Sequence, residues 1–374
     1  MRVNIAEFVG SIQDGGAETL VKDYALMLDK NKFNPVIIVL RRSPDTANDK
    51  ILTEHGIKIV PICRSNFLPL KVIQKLNYWW YVPYRLKKIL KNEKIEVLHI
   101  HLELLHYVQK ISKSIKSIKL FYTCHSEAKV LLDGDRMYEN KAAKYLIQHN
   151  QLQMIALHDN MRKEINQMFG INNTVVIRNG IDFNRFRNIS ESKKQIRKTL
   201  NIPENAFVMG HVGRFSGAKN HTFLVDVFSE LCKQKDNAFL LLVGAGELKQ
   251  QTEEKLNFLD LQGKYLILSH RFDIPQLMKA MDVFVFPSLF EGLGIVLIEA
   301  QASGLKCIVS DSVPEEAFKT ELAVAVSLKK SPTEWCNVIL DESIKGMANG
   351  NIEDYDMNKE IKRLESLYLG EWHG

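Results

Sequence analysis

The strongest constraint on how this chain can fold is a double series of short apolar runs, each trailed by an amphipathic stretch. The first series comprises Val3–Val9, Pro35–Leu40, Ile57–Ile62, Val97–Ile100, Leu120–Thr123, Met154–Leu157 and Thr174–Ile177. The second comprises Phe207–Val212, Phe239–Val243, Leu266–Leu268, Val283–Phe286, Cys307–Val309 and Ala323–Val326. Near-continuous apolar runs of this length suit parallel strands covered on both faces. Parallel neighbours need crossover connections, and stretches such as AETLVKDYALMLDK (17–30), NMRKEINQMFG (160–170) and NHTFLVDVFSELCKQK (220–235) supply amphipathic helices for them. Gly170 ends the second of these as a helix stop. Between the two series lies RNGIDFNRFRNISESKKQ (178–195), polar and irregular. The expectation is an α/β chain with two Rossmann-like, doubly wound parallel sheets. The first domain would span 1–188, a linker about 189–204, and the second domain 205–354. Ligands of such sheets bind at the carboxyl ends of the strands, so two domains facing across a cleft would bind there.

A chain of 374 residues is long for one domain, and 45% apolar content is enough for two cores. No run of about 18 apolar residues is present to span a membrane. The opening MRVNIAEFVG reads as a strand rather than a signal peptide. Five scattered cysteines, Cys63, Cys124, Cys232, Cys307 and Cys336, have no metal-ligand spacing and suit free thiols in a reducing cytoplasm. Charge is unevenly divided. Residues 1–182 hold 27 Lys and Arg against 18 Asp and Glu (+9), and the remainder 23 against 26 (−3), which points to an anionic partner for the first half.

The richest segment is FVFPSLFEGLGIVLIEAQAS, 284–303. It reads as a strand, a turn holding Glu291, Gly292 and Gly294, and a helix carrying Glu299. Backbone amides at the helix start favour a phosphate, and carboxylates suit the hydroxyls of a sugar. An ordinary turn with surface glutamates would look the same. Gly15-Gly16-Ala17-Glu18 opens a helix after the first strand and offers amides to an anion, although a glycine pair is also a common loop. GHVGRFSGAKNH (210–221) places Arg214 and Lys219 around a small-residue loop, as a diphosphate requires, without the spacing of a Walker loop. A solvated basic loop is the alternative.

Other segments carry weaker signals. His125 ends the strand in LFYTCHSE, where a cleft residue belongs, although a lone His is more often structural. His99 and His101 end another; an HxH pair can bind metal, but no third ligand is evident, so a structural role is expected for that pair. Asp133-Gly134-Asp135 has the form of a metal-binding DxD but the wrong strand context, and reads as a loop. Gly244 and Gly246 end a strand where a ligand would approach closely, and Arg271 would frame a base or form a surface ion pair.

In their order and spacing these segments resemble the GT-B glycosyltransferases of family 4, the group 1 retaining transferases, and within them the bacterial exopolysaccharide and capsule type. The residues that carry the resemblance are GGAE (15–18), TCHSE (123–127), RNGID (178–182), VGRFSGAKNH (212–221), VGAGE (243–247) and the two glutamates of EGLGIVLIE (291–299). The resemblance implies an acceptor-binding first domain, a nucleotide-sugar-binding second domain, and a C-terminal helix (about 355–374) packed back on the first. It implies that Arg214 and Lys219 hold the donor diphosphate, with the Gly16 amide on the same phosphates and Gly15 beside it. Glu299 would accept from the ribose, and Glu291, with amides around Leu293 and Gly294, would hold donor-sugar hydroxyls. His125 and Glu291 are then the catalytic positions. The anomeric configuration would be kept, with no metal cofactor and an NDP-sugar, most simply a UDP-sugar, as co-substrate. Asn220-His221 after Lys219 departs from the glycine more usual there.

The stretch 64–94 carries eight Lys or Arg against Glu93 alone, with Tyr78, Trp79, Trp80, Tyr81 and Tyr84; Lys110, Lys113, Lys116 and Lys119 extend it. Basic residues mixed with aromatics suit an anionic membrane surface. A core aromatic cluster with a solvated basic face is the bland alternative, and no nucleic-acid recognition module accompanies the charge. The whole implies a cytoplasmic transferase, peripheral to the inner face of the cell membrane through 64–119, extending a lipid-linked oligosaccharide. Two rivals are a UDP-sugar epimerase of similar fold, which would need cleft carboxylates not found here, and a non-catalytic partner subunit.

Overall fold

All thirteen apolar runs form strands in the computed structural model, which describes residues 2–13, 15–44, 46–63, 71–125 and 137–371, with the backbone alone for 71–78. Two compact units result: residues up to Asn179 together with the chain from Asn358 onward, and Gly180–Met357. The Asp133-Gly134-Asp135 segment lies outside the described residues.

In the first unit, β1 (Val3–Val9), β2 (Phe33–Val39), β3 (Lys58–Pro61), β4 (Val97–His101), β5 (Lys119–Thr123), β6 (Gln153–Ala156) and β7 (Val175–Val176) form one sheet in the order β3-β2-β1-β4-β5-β6-β7. Every pairing is parallel. The order reverses between β1 and β4, so the crevice at their carboxyl ends is the switch point at which ligands of such sheets bind. The helix α1 (Gly16–Met27) follows β1, and α6 (Asp159–Phe169) ends on Gly170 in the left-handed region, as the sequence predicts. The last helix, α14 (Met357–Leu369), lies on this sheet: Tyr368 packs edge-on against Phe33 and Phe121. Glu360 accepts from the Arg178 amide at 2.8 Å.

The second unit repeats the scheme. Strands β8 (Phe207–Val212), β9 (Ala238–Val243), β10 (Tyr265–Leu268), β11 (Val283–Phe286), β12 (Lys306–Ser310) and β13 (Ala323–Val326) run parallel in the order β10-β9-β8-β11-β12-β13. Its switch point falls between β8 and β11.

The stretch 189–204 differs from a linker. It holds α8 (Lys193–Thr199), started by a capping box of Ser192 and Gln195. Ile196 and Ile202 enter the core of the second unit. Arg197, 5% exposed, donates to the carbonyls of Ala280 and Ala206 and to Asp282 at 2.6 Å. The polar appearance of this stretch comes from its outer face, while one arginine and two isoleucines tie it down.

Candidate functional site

In the second unit, the two loops at the switch point carry the residues singled out in the sequence. After β8 the chain makes a 3-10 turn, Gly217–Lys219, and Asn220, in the left-handed region at φ 54°, starts α9 (His221–Gln234). This accounts for asparagine there, since it tolerates that conformation better than most side chains. After β11, Gly294 at φ 77° starts α12 (Ile295–Ala302) with no side-chain cap, and the Leu297 amide bonds the Gly294 carbonyl at 2.8 Å. The Leu289 amide bonds the Ala218 carbonyl at 2.8 Å, joining the two loops.

Across that junction Lys219 Nζ meets Glu291 Oε1 at 2.6 Å, with side chains only 17% and 12% exposed. The ammonium also sits 4.6 Å from the Phe286 ring centroid. Leu293 is buried and Glu299 is half-buried on α12. Beneath this pair the buried atoms His211 Nε2, Ser288 Oγ and both ring nitrogens of His221 have no protein partner. Burial holds both imidazoles neutral, with His221 pushed down to about 4 and Lys219 adding to the effect.

The remaining positions are more open. Arg214 is exposed and pairs with Glu247 at 3.1 Å. Arg271 is held by Asp273, with Nε donating at 2.7 Å. Gly244 and Gly246 have a different reason from the one expected. A Cβ at Gly244 would collide with the Gly213 carbonyl, and one at Gly246 with the Phe215 backbone. These glycines let one loop of the unit lie against another.

In the first unit, Gly15 starts α1, and a Cβ there would collide with the Glu18 carboxylate, which folds back over the helix start. Gly16 has open space beside it. Next to the switch point between β1 and β4 lies a buried polar network. Glu7 on β1, fully buried, accepts from Tyr368 Oη at 3.0 Å and lies 2.7 Å from His101 Nε2. His101 Nδ1 is 2.9 Å from Nε2 of His125, a half-buried ring just past β5. His99 bonds Tyr368 Oη at 2.6 Å and Thr123 Oγ1 at 2.7 Å. Burial lifts Glu7 to about 8 against the Tyr368 hydrogen bond, which lowers it; it drops His101 to about 3, and His99 and His125 well below the usual range.

Glu7 is the third group that the HxH pair lacked in the sequence: its carboxylate and the rings of His99 and His101 place donor atoms within 4.8 Å of one another. Each of the four nitrogens already has a hydrogen-bond partner, so the set is satisfied as a hydrogen-bonded network. Sequence reasoning missed both Glu7 and Tyr368. A lone acid within the apolar run VNIAEFV was the available signal for Glu7, while nothing local marks Tyr368.

Outside the two switch points, α3 (Lys71–Asn92) buries Val82, Leu86, Ile89 and Leu90 and exposes Trp79, Trp80 and Tyr84. Lys110 Nζ caps the Trp79 ring at 2.8 Å from its centroid. These aromatics are surface residues, not part of a core cluster. No helix among the described residues is long and apolar enough to cross a membrane.

Two Rossmann-like parallel-sheet units of this kind in one chain give the protein the GT-B fold. HepE from Anabaena, whose crystal structure holds UDP and glucose, superposes with a TM-score of 0.77 at 19% identity over 99% of this chain and 100% of that one. The family profile for Glycosyltransferase Family 4 matches residues 14–185, and that for Glycosyl transferases group 1 matches residues 192–320. EpsF of Bacillus subtilis (strain 168) is 28% identical over 91% of this chain and 88% of its own length. The UDP-Gal:alpha-D-GlcNAc-diphosphoundecaprenol alpha-1,3-galactosyltransferase of Escherichia coli is 30% identical over 76% of this chain and 78% of its own length. The chain belongs to the group 1 glycosyltransferases of family 4, and it is a transferase enzyme.

Proposed function

We propose that the protein is a retaining glycosyltransferase that moves a sugar from a UDP-sugar to a lipid-linked glycan in surface polysaccharide synthesis. The observation that carries the donor reading is the Lys219–Glu291 pair at the switch point of the second unit, beside the uncapped start of α12. A cation beside a helix start suits a diphosphate, and a carboxylate at the same place suits the hydroxyls of the attached sugar. Lys219 and Arg214 take the diphosphate and stabilise charge on the leaving group as the glycosidic bond breaks. Glu299 takes the ribose, and Glu291, with the Leu293 and Gly294 amides, takes the sugar. Arg271 frames the base. In the first unit, the Gly16 amide serves the phosphates and His125 touches the sugar near the reacting carbon. HepE, crystallised with UDP and glucose, supports the choice of nucleotide.

The acceptor reading leans on the Escherichia coli relative, whose name specifies a diphosphoundecaprenol-linked substrate. The exposed Trp79, Trp80 and Tyr84 among lysines suit the surface of an anionic membrane, where such a lipid resides. A cytoplasmic enzyme peripheral to the inner face of the membrane follows, with no metal in the transfer step.

Calorimetry and thermal shift against UDP, GDP, ADP and their sugar conjugates, with EDTA and then with added magnesium or manganese, test the donor site. Selective stabilisation by UDP compounds in EDTA is expected. Silence towards every nucleotide would remove the donor reading, and binding only with added metal would remove the metal-free one. Transfer to a polyprenyl-diphosphate-linked sugar, with the product anomer read by NMR, tests the rest; an inverted anomer would overturn retention.

A further inference from the structure

The network of Glu7, His101 and His125 forms a line of hydrogen bonds in which each ring must donate on one side and accept on the other. A neutral imidazole has one N–H and one lone pair, so the direction of the bond at one end sets the direction along the whole line. An ionised Glu7 can only accept. His101 then carries its proton on Nε2, its Nδ1 accepts from His125 Nε2–H, and His125 Nδ1 is left bare. A neutral Glu7 reverses every bond. Its O–H donates to His101 Nε2, His101 Nδ1–H donates to His125 Nε2, and His125 carries its proton on Nδ1.

We infer that Glu7, acting through His101, decides which ring nitrogen of His125 carries the proton. Glu7 and His101 are positioning residues, and the consequence for turnover rests on the role proposed for His125. The proton balance is simple: one proton leaves the line. As Glu7 passes its proton to His101 Nε2, His101 passes its Nδ1 proton to His125 Nε2, and the Nδ1 proton of His125 is released. A carboxyl that is itself buried thus exchanges its proton through a half-buried imidazole.

The surroundings fit either state. Facing Glu7 are His99 and His101 from β4, Tyr368 from α14 and Tyr24 from α1, with Glu360 and Asp23 acting on Tyr24. Tyr368 donates to Glu7 Oε1 and accepts from His99 Nδ1, while His99 Nε2 accepts from Thr123. These bonds leave Oε2 as the oxygen that changes role. The three imidazoles stay neutral because burial holds them far below neutrality, and Glu7, lifted to about 8, is the group that titrates.

The test is long-range proton–nitrogen NMR on the full chain with nitrogen-15 histidine, with the His125 signals assigned by their loss in His125→Asn. Spectra are taken at about pH 6.5 and about pH 9.5, on either side of the Glu7 titration. The native protein should show His125 protonated on Nδ1 at the lower pH and on Nε2 at the higher. Glu7→Gln, whose amide donates to His101 as a neutral carboxyl does, should hold the Nδ1 form at both. Tyr368→Phe removes a donor that favours the ionised carboxylate, so it should move the changeover to higher pH and serves if Glu7→Gln fails to fold. One His125 tautomer at both pH values, a changeover that survives Glu7→Gln, or one unmoved by Tyr368→Phe would overturn the inference. Turnover of His125→Asn is a separate reading: full activity there removes the role of His125 while the changeover, if present, still stands.

Discussion

Lys219 and Glu291 form an ion pair at 2.6 Å, each mostly buried, although 72 residues separate them in sequence. The cation assigned to a diphosphate is therefore already neutralised by the carboxylate assigned to a sugar. A ligand that carries both groups can engage the two partners together, whereas one that carries only the diphosphate must share the lysine with the glutamate.

Lys219→Ala should weaken UDP binding by roughly 10- to 100-fold, the worth of one charge-assisted bond of about 1.5–3 kcal/mol. Glu291→Gln should do the opposite for UDP alone, holding or tightening its affinity, while the sugar conjugate loses its advantage and turnover falls. Calorimetry with UDP and with the conjugate reads both. Equal losses for the two ligands in Glu291→Gln would place the carboxylate away from the sugar.

His125→Ala should leave UDP affinity unchanged and lower kcat by on the order of a hundredfold or more, since the ring is assigned to the reacting centre rather than to the nucleotide. A matching loss in UDP binding would show that the ring supports the fold or the nucleotide instead.

Arg197→Ala should destabilise the second unit by about 1.5–3 kcal/mol, because it removes a charge-assisted bond to Asp282 and the donor to the Ala280 and Ala206 carbonyls, while Lys193 and the Val208 amide still hold the carboxylate. Burial pulls the Asp282 carboxyl up, but Lys193, the Val208 amide and Arg197 outweigh it and hold the group below its ordinary 3.8. A depressed folded value means that this stabilisation is complete above about pH 4 and is lost as pH falls through the folded value. Urea unfolding from pH 7 down to about pH 3 should show the gap between the native protein and Arg197→Ala narrowing. Parallel curves would exclude Asp282 as the titrating group.

Charge reversal at the exposed Lys87 and Lys88 of α3 should reduce binding to vesicles containing anionic lipid by at least about 10-fold, at about 1 kcal/mol per lost lysine. Trp80→Ala should weaken binding to the same vesicles at high salt, where the charge contribution is screened. Sedimentation with neutral and anionic vesicles separates these contributions, and binding insensitive to all three changes would leave the basic, aromatic face without its proposed partner.

The fold was readable in the chain because parallel strands buried on both faces impose an apolar run at every strand, whatever the ligand. All thirteen runs became strands, and Gly170 ended its helix as its lack of a side chain allows. The turn and helix start at 217–220 and at Gly294 were also readable, because they depend on local backbone conformation. The stretch 189–204 was misread as a linker because its polarity is real on one face, and the burial of Arg197 depends on Asp282, distant in sequence.

What the sequence determined alone was therefore periodic or local: two parallel sheets, their order along the chain, and the loops that follow β8 and β11. Tertiary structure decided the rest. It paired Lys219 with Glu291, it packed Gly244 and Gly246 against the Gly213 and Phe215 backbone, and it brought Glu7, His101, His125 and Tyr368 into one network. Glu7 and Tyr368 are 361 residues apart. No local pattern encodes such a meeting, since it follows from sheet order and from the return of the last helix, and burial then makes every polar atom there find a partner.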